Sequence, residues 1–95
     1  MTKYKLSNDA KDDLIRINHF GVKRFGRIQA DKYFNSFFEC FDIIAERPFS
    51  FESVDFIKVG YRRCPCGSDI IYYRLKNDIV EIMSIIGRQD LNKIS

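Results

Sequence analysis

The sequence predicts an α+β domain: an N-terminal strand and an α-helical hairpin packed on a small antiparallel β-sheet. Three observations carry that prediction. Apolar residues at three- and four-residue spacing run from Ala30 to Ala45, the period of a helix with one buried face. Alternation with period two takes over from Phe56 to Ile86. A short apolar/polar alternation at Lys3–Leu6 precedes the first helical stretch and reads as a strand. At 95 residues the chain has room for one core, so residues 1–95 are expected to form a single domain.

Each element has a local reason. Ser7 offers a hydroxyl to cap the first helix, and Asp9 places a negative charge where the helix N-terminus favours one. Ala10, Leu14, Ile17, Gly21 and Phe25 follow as its inner stripe, and Gly26 is expected to stop it in a left-handed conformation. In the second helix, Tyr33, Phe34, Phe37, Phe38, Phe41 and Ile44 line one side. Asp31, Lys32, Asn35, Glu39, Asp42 and Glu46 take the other, and Pro48 ends the helix. The short Gly26–Arg27 link makes the two helices antiparallel.

After a loop around Ser50–Asp55, strands are expected at Phe56–Cys64, Ile70–Lys76 and Ile79–Ile86. Pro65–Ser68 and Asn77-Asp78 have turn compositions. A two-residue turn at Asn77-Asp78 sets Arg74 opposite Glu81, Tyr73 opposite Ile82 and Tyr72 opposite Met83. The last strand then has Val80, Ile82 and Ile86 on one face and Ile79, Met83 and Ile85 on the other. Two helices cover one face of a sheet, so the second face is expected to be partly exposed and covered by something else.

Composition narrows the function. Nine phenylalanines and five tyrosines either fill a dense core or leave a surface for a partner. A net charge of +3 suits an acidic partner and falls short of a dedicated nucleic-acid binder, so no sequence-specific nucleic-acid binding is expected. No apolar run approaches the ~18 residues of a membrane span, and the N-terminus does not resemble a signal peptide. Three cysteines without framework spacing suit a reducing, cytoplasmic setting. Cys64-Pro65-Cys66 invites a metal, but zinc takes four ligands and Cys40 would be only the third. A proline turn with two small thiols accounts for it better, and no metal or cofactor is expected.

The chemistry-bearing segment is Gly60–Arg74, GYRRCPCGSDIIYYR, with IIGRQD at Ile85–Asp90. Arg62, Arg63, Arg74, Arg88 and Lys58 could stabilise negative charge. Cleaving RNA also needs a proton acceptor and a proton donor. The single histidine, His19, falls in the first helix with Asn18 and Phe20, away from the arginine strands, where a surface histidine is the simpler reading. Arg62 and Arg63 are adjacent and point to opposite faces of their strand. A two-residue turn at Cys66-Gly67 puts Arg63 with Ile70, Tyr72 and Arg74; an odd-length loop puts Arg62 there, and the sequence leaves that open. Arginine is favoured at interfaces, yet Arg74 could equally pair with Glu81 across the strands. Tyr61, Tyr72 and Tyr73 could stack on bases, although cross-strand packing explains them without a ligand.

Five segments, in order, carry a resemblance. They are YKLSNDAKDDLIRI at Tyr4–Ile17, FGRIQADKYF at Phe25–Phe34, IIAERP ending at Pro48, GYRRCPCGSDIIYYR at Gly60–Arg74, and VEIMSIIGRQD at Val80–Asp90. Together they resemble the ParE branch of the RelE/ParE toxin superfamily. The resemblance implies a bacterial toxin of a type II toxin–antitoxin pair. Such a toxin inhibits DNA gyrase by binding directly to the gyrase chain that breaks DNA, and a cognate antitoxin neutralises it in a hetero-oligomer. The superfamily's other branch, resembling RelE, cuts messenger RNA on the ribosome and is the alternative reading. Asp69 and Gly87 stand where the ParE pattern often has histidines, which further weakens a nuclease. On this basis Arg62, Arg63, Arg74, Arg88 and Asp90 are the expected target-binding residues. Leu14, Ile17, Tyr61, Tyr72 and Met83 are the expected antitoxin-binding ones. The expectation is adhesion without catalysis.

Overall fold

The computed structural model describes residues 3–87. Its elements are β1 (Tyr4–Leu6), α1 (Asn8–Phe25), α2 (Arg27–Glu46), β2 (Glu52–Ser53), β3 (Tyr61–Cys66), β4 (Asp69–Lys76) and β5 (Ile79–Gly87). One five-stranded sheet runs in the order β1-β5-β4-β3-β2. β1 joins β5 in parallel, and the other pairs are antiparallel.

Ser7 has extended backbone and caps α1, its Oγ accepting from the Ala10 N–H at 3.0 Å. The same hydroxyl donates to the Met83 carbonyl at 2.9 Å, so one side chain starts the helix and ties it to β5. Replacing Ser7 with alanine removes both bonds and should lower stability by about 1–2 kcal/mol, read as a fall in the urea midpoint without a change in slope.

A single residue, Gly26, separates the helices. Its φ of +89° and ψ of 164° are open to glycine and costly for other residues. The φ is positive as expected, but the ψ is extended rather than left-handed helical, and this reverses the chain in one step. Below the reversal the helices touch at Gly21, where an added Cβ would meet the Ala30 Cβ at 3.2 Å. The buried stripe of α1 ends there: Ala10, Leu14 and Ile17 are buried, whereas Phe25 is 61% exposed.

The core lies between the hairpin and one face of the sheet. Phe37, Phe41 and Ile44 of α2 meet Ile71, Tyr73, Val80, Ile82 and Ile85, all fully buried. The Tyr73 hydroxyl is satisfied by donating to the Pro48 carbonyl at 2.7 Å. Cys40 of α2 is disulfide-bonded to Cys66 of β3, with a Cα separation of 6.6 Å. The expectation of small thiols in a proline turn is therefore corrected, and the cysteines no longer argue for a reducing setting: two of the three are paired, and only the buried Cys64 is free.

Three strand expectations also change. β3 begins at Tyr61 rather than Phe56, because residues 54–60 close into a compact loop. The Asp55 carboxylate accepts from the Gly60 N–H at 2.8 Å, and the Val54 N–H donates to the Tyr61 carbonyl at 2.8 Å. At its other end β3 runs through Pro65 to Cys66, narrowing the turn to Gly67-Ser68. Proline is tolerated there because β2 pairs only with Arg62 and Arg63, leaving Pro65 at an edge. The Asn77-Asp78 turn forms as expected, with φ of 54° and 63° at its two residues.

The third change is a bulge. Arg74 lies opposite Glu81 and Tyr73 opposite Ile82, but Tyr72 then faces Ser84 rather than Met83. The extra residue reverses the alternation beyond it, so Ile85 joins Val80 and Ile82 in the core and Ile86 turns to the other face. That outer face is covered in part by the chain itself. Val54 and Ile57 pack on Ile70, Tyr72, Tyr61 and Ile86, which is what buries Tyr72 to 3% exposure.

Candidate partner-binding surfaces

Register decides what the arginines can do. Arg63 pairs with Tyr72 and Tyr61 with Arg74, so Arg63, Ile70, Tyr72 and Arg74 share the outer face. The two-residue turn that selects this face lies at Gly67-Ser68, one residue beyond Cys66-Gly67. Arg62 points to the opposite face. Its Nη1 donates to the Phe51 carbonyl at 2.7 Å and its guanidinium lies 5.2 Å from the Phe49 ring centre.

The outer-face arginines are already paired. Arg63 grips Glu52 with two bonds of 3.0 Å from Nε and Nη2, and Arg74 Nε donates to Glu81 Oε1 at 2.9 Å. Lys5 adds a second cation to Glu81 at 3.4 Å. The Arg74 hydrogen bond, followed by that of Lys5, holds the Glu81 carboxyl below its usual range. Between the two arginines, the buried Tyr72 hydroxyl has no hydrogen-bond partner among the described residues.

The residues expected to bind an antitoxin divide between two faces. Leu14 and Ile17 are buried beneath the hairpin, and Tyr72 and the half-buried Tyr61 belong to the outer cluster. Met83 is half-buried at the bulge. Arg88 and Asp90 lie outside the described residues.

A concavity opens between the hairpin tip and the ends of β4 and β5. It has a volume of about 630 Å³, with Arg16, Phe20, Arg24 and Phe25 on its helical wall and Tyr33, Asp69 and Gly87 towards the sheet. The Tyr33 hydroxyl organises its floor. It donates to Asp69 Oδ2 at 2.6 Å and accepts from the Ser68 N–H at 2.9 Å. Burial, with a further contribution from Asp69, pushes the Tyr33 hydroxyl up to about 12. One signal for this site was present in the sequence: residues 14–30 contain no carboxylate.

Two further shifted groups, Tyr73 and Cys64, sit in the core. Burial pushes Tyr73 up to about 12 and the Cys64 thiol to about 11, against ordinary values of 10.0 and 9.0. In this alkaline range the native state holds protons that the unfolded chain releases. Their stabilisation is therefore complete below about pH 9 and is lost as pH rises towards 12. Alkaline titration followed by circular dichroism should show Tm falling across this window, and a flat Tm from pH 9 to 11 would contradict the burial of these groups.

A two-helix hairpin on a mostly antiparallel sheet, bearing paired surface arginines and a charged cleft, defines a class of small α+β binding domain. Comparison with known proteins makes that class specific. The family model for the ParE toxin of the type II toxin–antitoxin system parDE matches residues 4–92. Toxin ParE1 of Caulobacter vibrioides is 35% identical over 92 residues, which cover 97% of this chain and 94% of that protein. The solved chromosomal ParDE toxin–antitoxin system from P. aeruginosa contains a chain with the same fold, at a TM-score of 0.81 and 19% identity. The match covers 92% of this chain and 96% of that one. The chain belongs to the ParE toxin family of type II toxin–antitoxin systems.

Proposed function

We propose that this toxin inhibits DNA gyrase by direct binding, in the cytoplasm and without a chemical step, and that a cognate antitoxin neutralises it in a hetero-oligomer. The family match across residues 4–92 carries this reading. Burial keeps the Tyr33 and Tyr73 hydroxyls and the Cys64 thiol protonated near neutral pH, so none of the three is a ready proton acceptor there. His19 is exposed on α1 rather than set beside the arginine strands.

On this reading the outer face is the gyrase-binding surface. Arg63 and Arg74 exchange Glu52 and Glu81 for carboxylates of the target, and Arg88 and Asp90 extend the contact beyond β5. Arg62, turned to the other face, contributes by holding the Phe49–Phe51 segment beside β2. Incubating the purified chain with gyrase and plasmid tests the proposal: supercoiling should stop and cleaved DNA should accumulate. Cuts at codon positions in a message translated by ribosomes would replace it with the RelE-type activity, and silence in both assays would overturn it.

A further inference from the structure

The outer face of the sheet hides one polar group that the fold leaves idle. Tyr72 is 3% exposed, and nothing among the described residues meets its buried hydroxyl in hydrogen-bond geometry. Orphans of this kind are rare in folded proteins, because the lost hydration is not offset. The adjacent Tyr73 shows the contrast: its hydroxyl, buried on the other face, donates to the Pro48 carbonyl at 2.7 Å.

The neighbours of Tyr72 define what it lacks. Arg63 lies directly opposite on β3, and Arg74 stands two positions along β4 on the same face. Glu52 first, and then Tyr72, hold the Arg63 guanidinium above its ordinary value against the opposing effect of desolvation. Guanidinium groups carry donors alone, so neither arginine can accept the hydroxyl proton. Arg63 has also committed Nε and Nη2 to Glu52. The missing partner is therefore an oxygen that bears negative charge, since a cation would be repelled by both arginines.

One loop closes this site. Residues 54–60 lie between β2 and β3, and Val54 and Ile57 pack on Tyr72. The hydrogen bonds of the loop run within residues 54–61, as from the Gly60 N–H to the Asp55 carboxylate. It can lift as a unit by giving up the apolar contacts of Val54 and Ile57. Its outer side carries Phe56 at 75% and Val59 at 85% exposure, two large apolar groups that gain nothing from solvent.

We propose that Tyr72 is a specificity residue for the target, its hydroxyl donating to a carboxylate of gyrase that enters when the 54–60 loop lifts. This rests on the gyrase-binding reading above. Glu52, two residues before Val54, moves with the loop and frees Arg63 to hold the same carboxylate. Phe56 and Val59 then close on the target's apolar surface. A target with an apolar side chain at this point leaves the hydroxyl and the guanidinium unpaired and is rejected. Tyr72 thereby serves the target rather than the antitoxin that its sequence context suggested.

Two substitutions in the full-length toxin test the proposal with opposite signs. Tyr72→Phe removes the oxygen alone, so Tm should rise by about 4 °C as an unpaired buried group disappears. Its affinity for purified gyrase, read by surface plasmon resonance, should nevertheless fall about tenfold. A hydroxyl with a purely structural role would lower Tm on removal and leave the affinity unchanged. Asp55→Ala loosens the closed loop and should tighten gyrase binding about threefold while lowering Tm. If the wild type stops supercoiling and Tyr72→Phe binds gyrase just as tightly, the Tyr72 assignment falls and the gyrase reading stands. Weaker binding by Asp55→Ala would show that the loop is not a cover. If the wild type neither binds gyrase nor stops supercoiling, both readings fall. Capture of naked plasmid DNA that is lost in Tyr72→Phe would also overturn the assignment, giving the site to a phosphate.

Discussion

Replacing Phe41 with alanine should remove a large share of the domain's stability at 25 °C. Phe41 has no solvent exposure, and its ring lies 5.3 Å from Tyr4, 5.5 Å from Phe38 and 6.5 Å from Phe37. Truncation removes a full aromatic from water-free packing and opens a cavity that rigid neighbours cannot fill, at a cost of about 3–5 kcal/mol. A domain of this size has about 5–14 kcal/mol in total. Urea denaturation should show the midpoint falling by about a fifth or more. A loss below about 1 kcal/mol would mean that the aromatic cluster is not packed as described.

The second large effect concerns the Cys40–Cys66 link. The bond closes a segment with a sequence separation of 26 and fixes the middle of α2 to the end of β3. Constraining an unfolded loop of that length is worth about 3–4 kcal/mol. Adding dithiothreitol should therefore lower Tm by roughly 15 °C or more for a domain of this size. Alkylation in denaturant should find one reactive thiol before reduction and three after it. Three thiols in the untreated protein, or an unchanged Tm, would show that the link does not form.

What the sequence could and could not announce follows from the range of each signal. The α2 stripe, the Ser7 cap and the Asn77-Asp78 turn are local, and each formed where its residues placed it. Gly26 was legible as a breaker, but its extended ψ carries no local signal. The Val54–Gly60 loop was misread because Phe56, Ile57 and Val59 are strand formers, while Asp55 captures the Gly60 backbone by a bond that hydropathy does not register. The bulge has no local signature at all: Met83 and Ser84 are both acceptable in a strand, and only packing against two faces chooses between them.

The candidate surfaces divide in the same way. That Arg63 would share a face with Tyr72 and Arg74 followed from strand parity, given an even turn. That Glu52 would occupy Arg63 did not follow, because β2 is two residues long and has no periodic pattern to find. The cysteine partners sit on a helix and a strand, so spacing could not pair them. The carboxylate-free run of residues 14–30 was visible, but a helical count assigned those residues to an inner and an outer face. The cleft belongs to neither, since it forms only where the hairpin tip meets the ends of β4 and β5.

The parallel pairing of β1 with β5 has a consequence for synthesis. β5 lies between the first strand and β4, and Ser7 reaches across 76 positions to the Met83 carbonyl. A nascent polypeptide emerging from the ribosome can form the hairpin early, but it cannot seal its interior until residues 80–87 have left the exit tunnel. Contacts so distant along the chain also close slowly. A domain assembled this way completes its interior only after its last strand has been translated.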